Sequence, residues 1–168
     1  MAHAILKGVV LSDFLRAKKV VVSDTSEEAL DKAADLGIQC TTNNKYLVEN
    51  SEYVLIAVKP QSFAAVAESL EGAVPEKVIS IMAGVKRDKI KAAIGRSALV
   101  ARCMPNLPCS IGSGVIGVDM TDFNSSQQDI EFISGVLNCL GTVLSVREEK
   151  MDAVTGISGS GPAYVFMF

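Results

Sequence analysis

The order of apolar patterns along the chain predicts an α/β fold built on a doubly wound parallel sheet. Short runs of β-branched residues alternate with segments whose apolar residues recur at helical spacing. The best-marked run, residues 54–58, is apolar on both faces and stops at Lys59-Pro60. Such strands lie in the middle of parallel sheets, with helices covering each side. We therefore expect this strand to be central, with a ligand near its carboxyl end.

The other elements follow from local signals. Thr25 and Glu28 form a capping box that predicts a helix start, and Gly37 supplies its stop. The expected strands cover residues 19–23, 38–42, 54–58, 77–81, 98–102, 112–118 and 141–146. The expected helices cover residues 1–15, 26–36, a brief stretch capped by Asn43-Asn44, 63–70, 86–94, 125–140, 148–155 and 163–168. In the first helix one face carries Ala4, Gly8 and Leu11, with Ile5 and Val9 beside them, and its small residues predict close packing on a sheet.

Composition excludes several classes of function. The 168 residues carry a net charge of −3 and no basic stripe, so we expect no nucleic-acid partner. No apolar run approaches the roughly 20 residues of a membrane span, and no signal-peptide pattern is present. With a single histidine and no C-x-x-C spacing, we expect no metal site. The scattered cysteines predict reduced thiols in a cytoplasmic protein; they are Cys40, Cys103, Cys109 and Cys139.

Small or polar residues follow several predicted strands and would line one edge of the sheet: Ser23, Lys59, Ala83 and Asn106. An ordinary solvated lysine is the alternative for Lys59. Asn106 lies between two prolines and could merely satisfy backbone groups. Asn44 could bind a ligand, or it could be a helix N-cap, where asparagine is common.

The turn Ser23–Ser26 suits the adenosine end of a dinucleotide. Asp24 would accept hydrogen bonds from a free ribose 2′-hydroxyl and repel a 2′-phosphate. Ser23, Thr25 and Ser26 could instead donate to a phosphate. Plain helix capping is the alternative for this turn.

The segment from Ser158 to Pro162 combines two serines and two glycines with a proline. Its backbone can approach a ligand closely and its hydroxyls can donate, whereas a flexible linker is the alternative. Hydrolysis is not supported, because His3 is the single histidine and Glu148-Glu149 are typical of a solvated helix start. A cofactor enzyme, which binds and orients two reactants, fits better.

Several stretches together resemble pyrroline-5-carboxylate reductase. They occur in the family's order with suitable spacing and span essentially the whole chain: Met1-Ala2 with Ala4-Ile5, 22–24, 42–44, 57–60, 83–85, 104–106, 151–155 and 158–164. The last of them, Ser-Gly-Ser-Gly-Pro-Ala-Tyr, is the most specific.

This resemblance implies a Rossmann-like fold and hydride transfer from a nicotinamide cofactor to the C=N bond of 1-pyrroline-5-carboxylate, giving L-proline. The protein would mainly hold the two reactants in a near-attack geometry. NADP and NAD both remain open as cofactors, since Asp24 favours NAD and the neighbouring hydroxyls favour NADP. The full-length family protein is expected to be a homo-oligomer.

Carried over residue by residue, the resemblance also implies site residues. Those expected to bind the cofactor are Ser23, Asp24, Thr25, Asn44, Ala57, Val58, Lys59, Pro60, Met82, Ala83, Gly84, Asn106 and Glu148. Those expected at the reaction centre are Thr155, Ser158, Gly159, Ser160 and Gly161.

Two departures from the family matter. Met1-Ala2 would end a glycine-rich fingerprint that follows the family's first strand, so we expect the sheet to lack a strand beside residues 54–58. The chain also stops at the start of the family's helical dimerisation domain. Residues 1–147 are therefore expected to form an incomplete dinucleotide-binding domain and residues 148–168 the beginning of the helical one, with the fold truncated at both ends.

Two explanations compete. In the first, the chain is a fragment of a working reductase, or a sequence of one with a misassigned start, and it is inactive or nearly so alone. In the second, it is a truncated relative that serves as a non-catalytic scaffold or binding module. A missing central strand would expose apolar faces and unpaired backbone, which favours a fragment or self-association. Another imine or 3-hydroxyacid reductase is the alternative among enzymes.

Overall fold

Strands and helices alternate along the chain as predicted. The computed structural model describes residues 1–165 and 167, with the backbone alone for Ala163. The strands are β1 (Val21–Ser23), β2 (Gln39–Thr41), β3 (Tyr53–Ile56), β4 (Lys77–Ser80), β5 (Leu99–Met104), β6 (Gly114–Asp119) and β7 (Gly141–Ser145). The helices are α1 (Ala2–Leu11), α2 (Glu27–Ala34), α3 (Asn44–Glu49), α4 (Phe63–Glu68), α5 (Arg87–Ile94), α6 (Gln127–Asn138), α7 (Met151–Val154) and α8 (Gly161–Val165). The expected end of the last helix at Phe168 lies outside the described residues.

The strands form two sheets. One holds β1 and β2 in parallel, and the other has the order β3-β4-β5-β6-β7. The sheet is parallel as predicted except at one position, where β6 runs antiparallel to β5. The chain passes from β5 to β6 through the short 3₁₀ turn Leu107–Ile111, and a parallel neighbour would need a longer crossover.

The strand predicted to be central, β3, lies at an edge. Among the described residues it pairs only with β4, and β1 pairs only with β2. Its burial alternates, with Val54 and Ile56 buried and Tyr53 and Leu55 half-buried. The prediction of a central strand is thus wrong within the described residues, since no described strand adjoins β3 on its second side. That side is where the family resemblance implied a missing neighbour.

Helices cover both faces of the larger sheet and create two apolar cores. The first core joins α1 and α6 to the sheet, with Val9 and Leu137 among its buried residues. The second joins α4 and α5 to the opposite face, with Ile90 fully buried. Alternation along β5 places Cys103 in the first core and Val100 in the second. The doubly wound prediction is confirmed.

Helix α1 packs as closely as its small residues predicted. A Cβ on Gly8 would lie 2.9 Å from Leu140 Cδ2. Ile5 and Val9 are buried, whereas Leu11 is 68% exposed. The inward placement of Leu11 is therefore wrong, because α1 ends at that residue and the chain turns away.

The start of α2 differs by one residue from the prediction, whereas α3 is capped by one of the two predicted asparagines. Ser26, rather than Thr25, caps α2, its Oγ accepting the Ala29 N–H at 3.4 Å. The Asp24 carboxylate accepts the Ser26 N–H at 2.9 Å and so delays the helix start. At α3 the cap is Asn43, which accepts the Tyr46 N–H at 2.9 Å.

The serine- and glycine-rich segment is helical. A π-helical turn, Thr155–Gly159, joins α7 to α8. The Ser160 N–H donates to the Thr155 carbonyl at 2.9 Å, which is the wider bonding of such a turn. A Cβ on Gly159 would lie 2.7 Å from Met104 Cε, so the segment lies close on β5.

Within the described part of the chain, no helix has the length and apolar character needed to cross a bilayer. No cluster of three or more His, Cys, Asp or Glu side chains suited to a metal ion occurs there either.

Candidate functional site

A cavity of about 300 Å³ lies where the carboxyl end of β1 meets the first turns of α1 and α2. We call it the β1 cavity, and its lining residues are Ala2, His3, Leu6, Val22, Asp24, Ser26, Glu28, Ala29 and Lys32. The first intrahelical bond of α1 is donated by the Ile5 N–H to the Met1 carbonyl at 3.1 Å. The preceding backbone N–H groups of the helix therefore have no intrahelical acceptor, and they suit an anion.

Acidic and basic side chains share the rim of the β1 cavity. Lys32 Nζ and Glu28 Oε1 pair at 2.5 Å, so their charges offset each other. Asp24 is the remaining acidic group, and one of its oxygens accepts the Ser26 N–H. An ionised carboxylate has about four acceptor positions, so Asp24 can still accept from a ligand hydroxyl.

A second cavity, of about 480 Å³, is lined by Asn106, Ile157, Ser158, Gly161, Pro162 and Val165. We call it the Asn106 cavity. Asn106 Nδ2 donates to Ser158 Oγ at 3.2 Å, and Asn106 Oδ1 accepts the Val115 N–H at 3.0 Å. The amide is thus fixed from both ends. A polar pair within an apolar concavity can orient a small polar ligand.

The other predicted reaction-centre residues adjoin this cavity in sequence but do not line it. The Thr155 hydroxyl donates to the Met151 carbonyl at 2.9 Å, within its own helix. Ser160 is half-buried, and Gly159 packs on Met104. The structure therefore brings Ser158 and Gly161 together with Asn106, while the remaining three shape the turn.

Glu148 lies in a partly buried ion network rather than in either cavity. Glu148 Oε1 accepts the Arg87 N–H at 2.8 Å and lies 3.4 Å from Arg102 Nη1. Its second oxygen lies 3.5 Å from Arg87 Nε. Both oxygens are thus engaged by arginines. We define the ion network as Arg87, Lys91, Arg102, Asp119, Asp122, Glu148 and Asp152.

Burial and hydrogen bonding set the ionisation of nearby groups. Burial raises the pKa of Asp119, but the Thr121 N–H, the Arg87 guanidinium and the Glu148 N–H outweigh it, so this pKa lies below its usual 3.8. Burial raises the pKa of the Cys103 thiol far above its usual value, and that of Cys109 is raised for the same reason. Both thiols are therefore protonated at neutral pH and are poor nucleophiles.

The remaining predicted cofactor residues lie near strand or helix ends, outside the lining of both cavities. After β3, Ala57 and Val58 are half-buried, whereas Lys59 and Pro60 are exposed. After β4, Ala83 and Gly84 are exposed, and Met82 is 2% exposed in the second core, which leaves mainly its backbone for a ligand. Ser23 is half-buried, Thr25 is exposed, and Asn44 Nδ2 donates to Ser69 Oγ at 2.8 Å.

The sequence alone did not identify every residue of the β1 cavity or of the ion network. It assigned no ligand role to Ala2, Leu6 or Lys32, which line the β1 cavity. It also overlooked Arg102, although an arginine within the apolar strand Leu99–Met104 was an available signal.

Known protein families match the two ends of the chain. A family described as "NADP oxidoreductase coenzyme F420-dependent" matches residues 1–84, and one described as "Pyrroline-5-carboxylate reductase dimerisation" matches residues 148–168. The pyrroline-5-carboxylate reductase of Methanosarcina acetivorans is 33% identical over 169 residues, covering 99% of this chain. The chain belongs to the pyrroline-5-carboxylate reductase family. The resemblance seen in the sequence is thereby confirmed.

Further pyrroline-5-carboxylate reductases are similar to the chain in sequence and in structure. That of Aquifex aeolicus is 34% identical over 161 residues, covering 96% of this chain. The chain spans 62% of the Methanosarcina relative and 60% of the Aquifex one. The solved pyrroline-5-carboxylate reductase of Coxiella burnetii superposes with a TM-score of 0.87 at 28% identity, covering 99% of this chain and 63% of that one. The Rossmann-like fold is thus confirmed.

A solved Plasmodium falciparum pyrroline carboxylate reductase with NADP bound superposes with a TM-score of 0.85 at 24% identity, covering 98% of this chain and 61% of that one. At this identity the likeness concerns the fold alone.

Proposed function

We propose that this chain is the dinucleotide-binding part of an enzyme that reduces 1-pyrroline-5-carboxylate to L-proline with NADPH or NADH. The observation that carries the proposal is the β1 cavity. There the amino end of α1 and the acidic turn after β1 meet at the carboxyl end of a parallel strand, which is where open α/β sheets bind ligands. Membership of the reductase family supports the reaction.

The groups in the β1 cavity fit a dinucleotide chemically. The free N–H groups at the start of α1 would hold the pyrophosphate, since helix amino ends favour anions. Asp24 would accept from the adenosine ribose hydroxyls. An uncompensated carboxylate at this place supports NADH, whereas the matching NADP oxidoreductase family supports NADPH. Both cofactors therefore enter the test below.

When bound, the reduced nicotinamide supplies the hydride that adds to the carbon of the C=N bond. The imine nitrogen of the substrate takes up a proton from solvent. The chain's own residues hold the imine for this step. Asn106 and Ser158 offer an amide and a hydroxyl 3.2 Å apart in the lining of an apolar cavity. Orienting a reactant in this way can account for a large share of the rate enhancement.

The other predicted residues complete the proposal. Residues 57–60 and 82–84 would border the cofactor, because they follow parallel strands whose carboxyl ends share one edge. Ser23, Thr25, Asn44 and Glu148 keep the cofactor-side role that the family resemblance implied. The turn 155–161 would border the reaction centre.

We also propose that the reductase is a homo-oligomer. The dimerisation family matches residues 148–168, and large apolar side chains in this region face outward. They are Ile157 at 79% exposure, Tyr164 at 59%, Val165 at 75% and Met167 at 79%. A cytoplasmic location is proposed with it, since all four cysteines are free thiols.

The enzyme proposal is tested by assaying pyrroline-5-carboxylate-dependent oxidation of NADPH and NADH by the protein that contains these residues, with L-proline as product. We expect turnover to proline with at least one of the two. Cofactor binding without turnover of any imine would favour a non-catalytic binding module. Turnover of other imines or of 3-hydroxy acids, but not of pyrroline-5-carboxylate, would favour a different reductase.

The β1 cavity is tested by the variant Asp24→Asn, which keeps an acceptor for the Ser26 N–H. We expect the calorimetric Kd for NADH to rise by about tenfold or more, because hydrogen bonds to charged groups contribute about 1.5–3 kcal/mol. Asp31→Asn, an exposed change on α2 away from the cavity lining, is the matched control. Equal affinity in wild type and Asp24→Asn for both cofactors would contradict the assignment.

A further inference from the structure

Arg102 is a charged residue in the middle of the sheet. It lies on β5 among apolar neighbours and is 3% exposed. Its guanidinium lies 3.4 Å from Glu148 Oε1 and 3.4 Å from Asp152 Oδ1. Both partners belong to the segment that follows β7. A buried guanidinium without partners is strongly unfavourable, so this contact dictates where the segment lies.

Glu148 is held from several sides at once. Its own N–H donates to Asp119 Oδ2 at 2.6 Å, while its Oε1 accepts the Arg87 N–H at 2.8 Å. Arg87 in turn contacts Asp119 at 3.3 Å and Asp122 at 3.2 Å. The start of α5, β5, the end of β6 and the segment after β7 therefore meet in one network. Such a network fixes geometry more narrowly than apolar packing does.

From this network, residues 152–159 pass along the β5–β6 surface to the Asn106 cavity. Successive contacts mark the path: Asp152 on Arg102, Val154 on Gly117, Gly159 on Met104, and Ser158 on Asn106. A Cβ on Gly117 would lie 3.1 Å from Val154 Cγ1, and one on Gly159 would lie 2.7 Å from Met104 Cε. Both glycines thus permit a close approach that larger residues would prevent.

We propose that Arg102 is a positioning residue for the reaction centre. Its guanidinium, held by Glu148 and Asp152, sets the place of residues 151–161 on the β5–β6 surface and thereby brings Ser158 to Asn106. This inference rests on the proposed function for its effect on turnover. It concerns Arg102 and Asp152, which no cofactor-binding expectation included, and it adds for Glu148 the role of an anchor for Arg102.

The β1 cavity distinguishes positioning from a general loss of structure. It adjoins β1, which belongs to the other sheet, and none of its lining residues belongs to the ion network. A change at Arg102 should therefore alter the Asn106 cavity and leave the β1 cavity intact. Loss of overall structure would alter both.

The test compares Arg102→Lys, which keeps the charge and loses the planar fork, with Arg102→Met, which removes the charge. Arg96→Met changes an exposed arginine just before β5 and is the matched control. Four quantities are measured: kcat and KM for pyrroline-5-carboxylate, the calorimetric Kd for ADP-ribose, and amide hydrogen exchange over residues 155–161. Arg102→Lys decides the result if Arg102→Met does not fold.

We expect Arg102→Lys to lower kcat/KM for pyrroline-5-carboxylate by about 10- to 100-fold, as misplacement by about 1 Å can do. Exchange over residues 155–161 should be faster, while the Kd for ADP-ribose stays within about twofold of wild type. Unchanged kinetics and exchange in folded Arg102→Lys would overturn the proposal, as would a comparable loss of ADP-ribose binding. If the wild type does not turn over pyrroline-5-carboxylate, the proposed function fails. Hydrogen exchange then tests the positioning role by itself: faster exchange over residues 155–161 in Arg102→Lys supports it, and unchanged exchange contradicts it.

Discussion

The two cavities lie on parts of the molecule that are built differently. The β1 cavity adjoins a two-stranded sheet in which no strand residue is fully buried. The Asn106 cavity adjoins a five-stranded sheet in which most residues of β5 and β6 are buried. At the first, the polar groups belong to exposed turns and helix caps. At the second, they are anchored by a partly buried ion network.

This difference relates to what each region would do. A dinucleotide has many phosphate and hydroxyl groups, so several weak contacts at the ends of elements can hold it. A small imine offers few handles, so its site needs groups that are fixed in advance. The comparison therefore predicts that substitutions near β1 change stability little, whereas those in the larger sheet change it strongly.

The largest expected effect comes from a paired truncation. Ile90→Ala removes a fully buried side chain from the second core and should lower the free energy of unfolding by about 2–5 kcal/mol. Val22→Ala on the half-buried β1 should lower it by about 1 kcal/mol. Chemical denaturation measures both. Equal losses would show that the two regions are equally well packed.

A smaller effect is expected at the amino end of the larger sheet. Asp129 on α6 accepts from the Tyr53 hydroxyl and lies 2.9 Å from Lys77 Nζ. The Tyr53 hydrogen bond, followed by that of Lys77, lowers the pKa of Asp129 from 3.8 to about 2. Burial, with the Asp129 hydrogen bond, raises the pKa of Tyr53 to about 12. Asp129→Asn should lower the free energy of unfolding at pH 7 by about 1–3 kcal/mol.

The sign of the pH dependence follows from the lowered pKa. The stabilisation by Asp129 is fully present above its unfolded pKa near 3.8 and is lost as the pH falls toward about 2. The difference in unfolding free energy between wild type and Asp129→Asn should thus be constant between about pH 5 and about pH 9 and shrink below that range. A difference that does not change between pH 5 and pH 2 would contradict the role assigned to the ionised carboxylate.

The smallest effect is expected at the helix cap near β1. Ser26→Ala removes the side chain that accepts the Ala29 N–H and should cost about 1 kcal/mol, whereas Thr25→Ala should be nearly neutral. Thermal melts of the two variants, side by side, provide the measurement. A larger loss in Thr25→Ala would restore the capping box read from the sequence.

Much of the fold was predictable because it depends on local pattern. The alternation of apolar strands and helices located each element to within a few residues, and Gly37 and Gly95 have the positive φ values expected at helix stops. The sequence also indicated the strand-end turn with Asp24 and the segment with Ser158, each of which lines a cavity, because turn chemistry depends on adjacent residues.

Pairing between distant segments was not predictable in the same way. The antiparallel course of β6 depends on a short connection, and the edge position of β3 depends on which strand lies beside it. The roles of Arg102 and Lys32 depend on residues far away in sequence or on the far rim of a cavity. An arginine within an apolar strand is a signal of a buried charge, but composition and spacing do not identify the distant residues that contact it.

The division of labour between the two cavities is the central claim, and hydrogen exchange under two ligands tests it most directly. The protein is saturated first with the reduced cofactor that it binds and then, separately, with L-proline. We predict that the cofactor slows exchange chiefly over residues 2–6 and 23–28, and that L-proline slows it over residues 155–161. Protection by L-proline at the β1 cavity, or by the cofactor at neither segment near β1, would contradict the account.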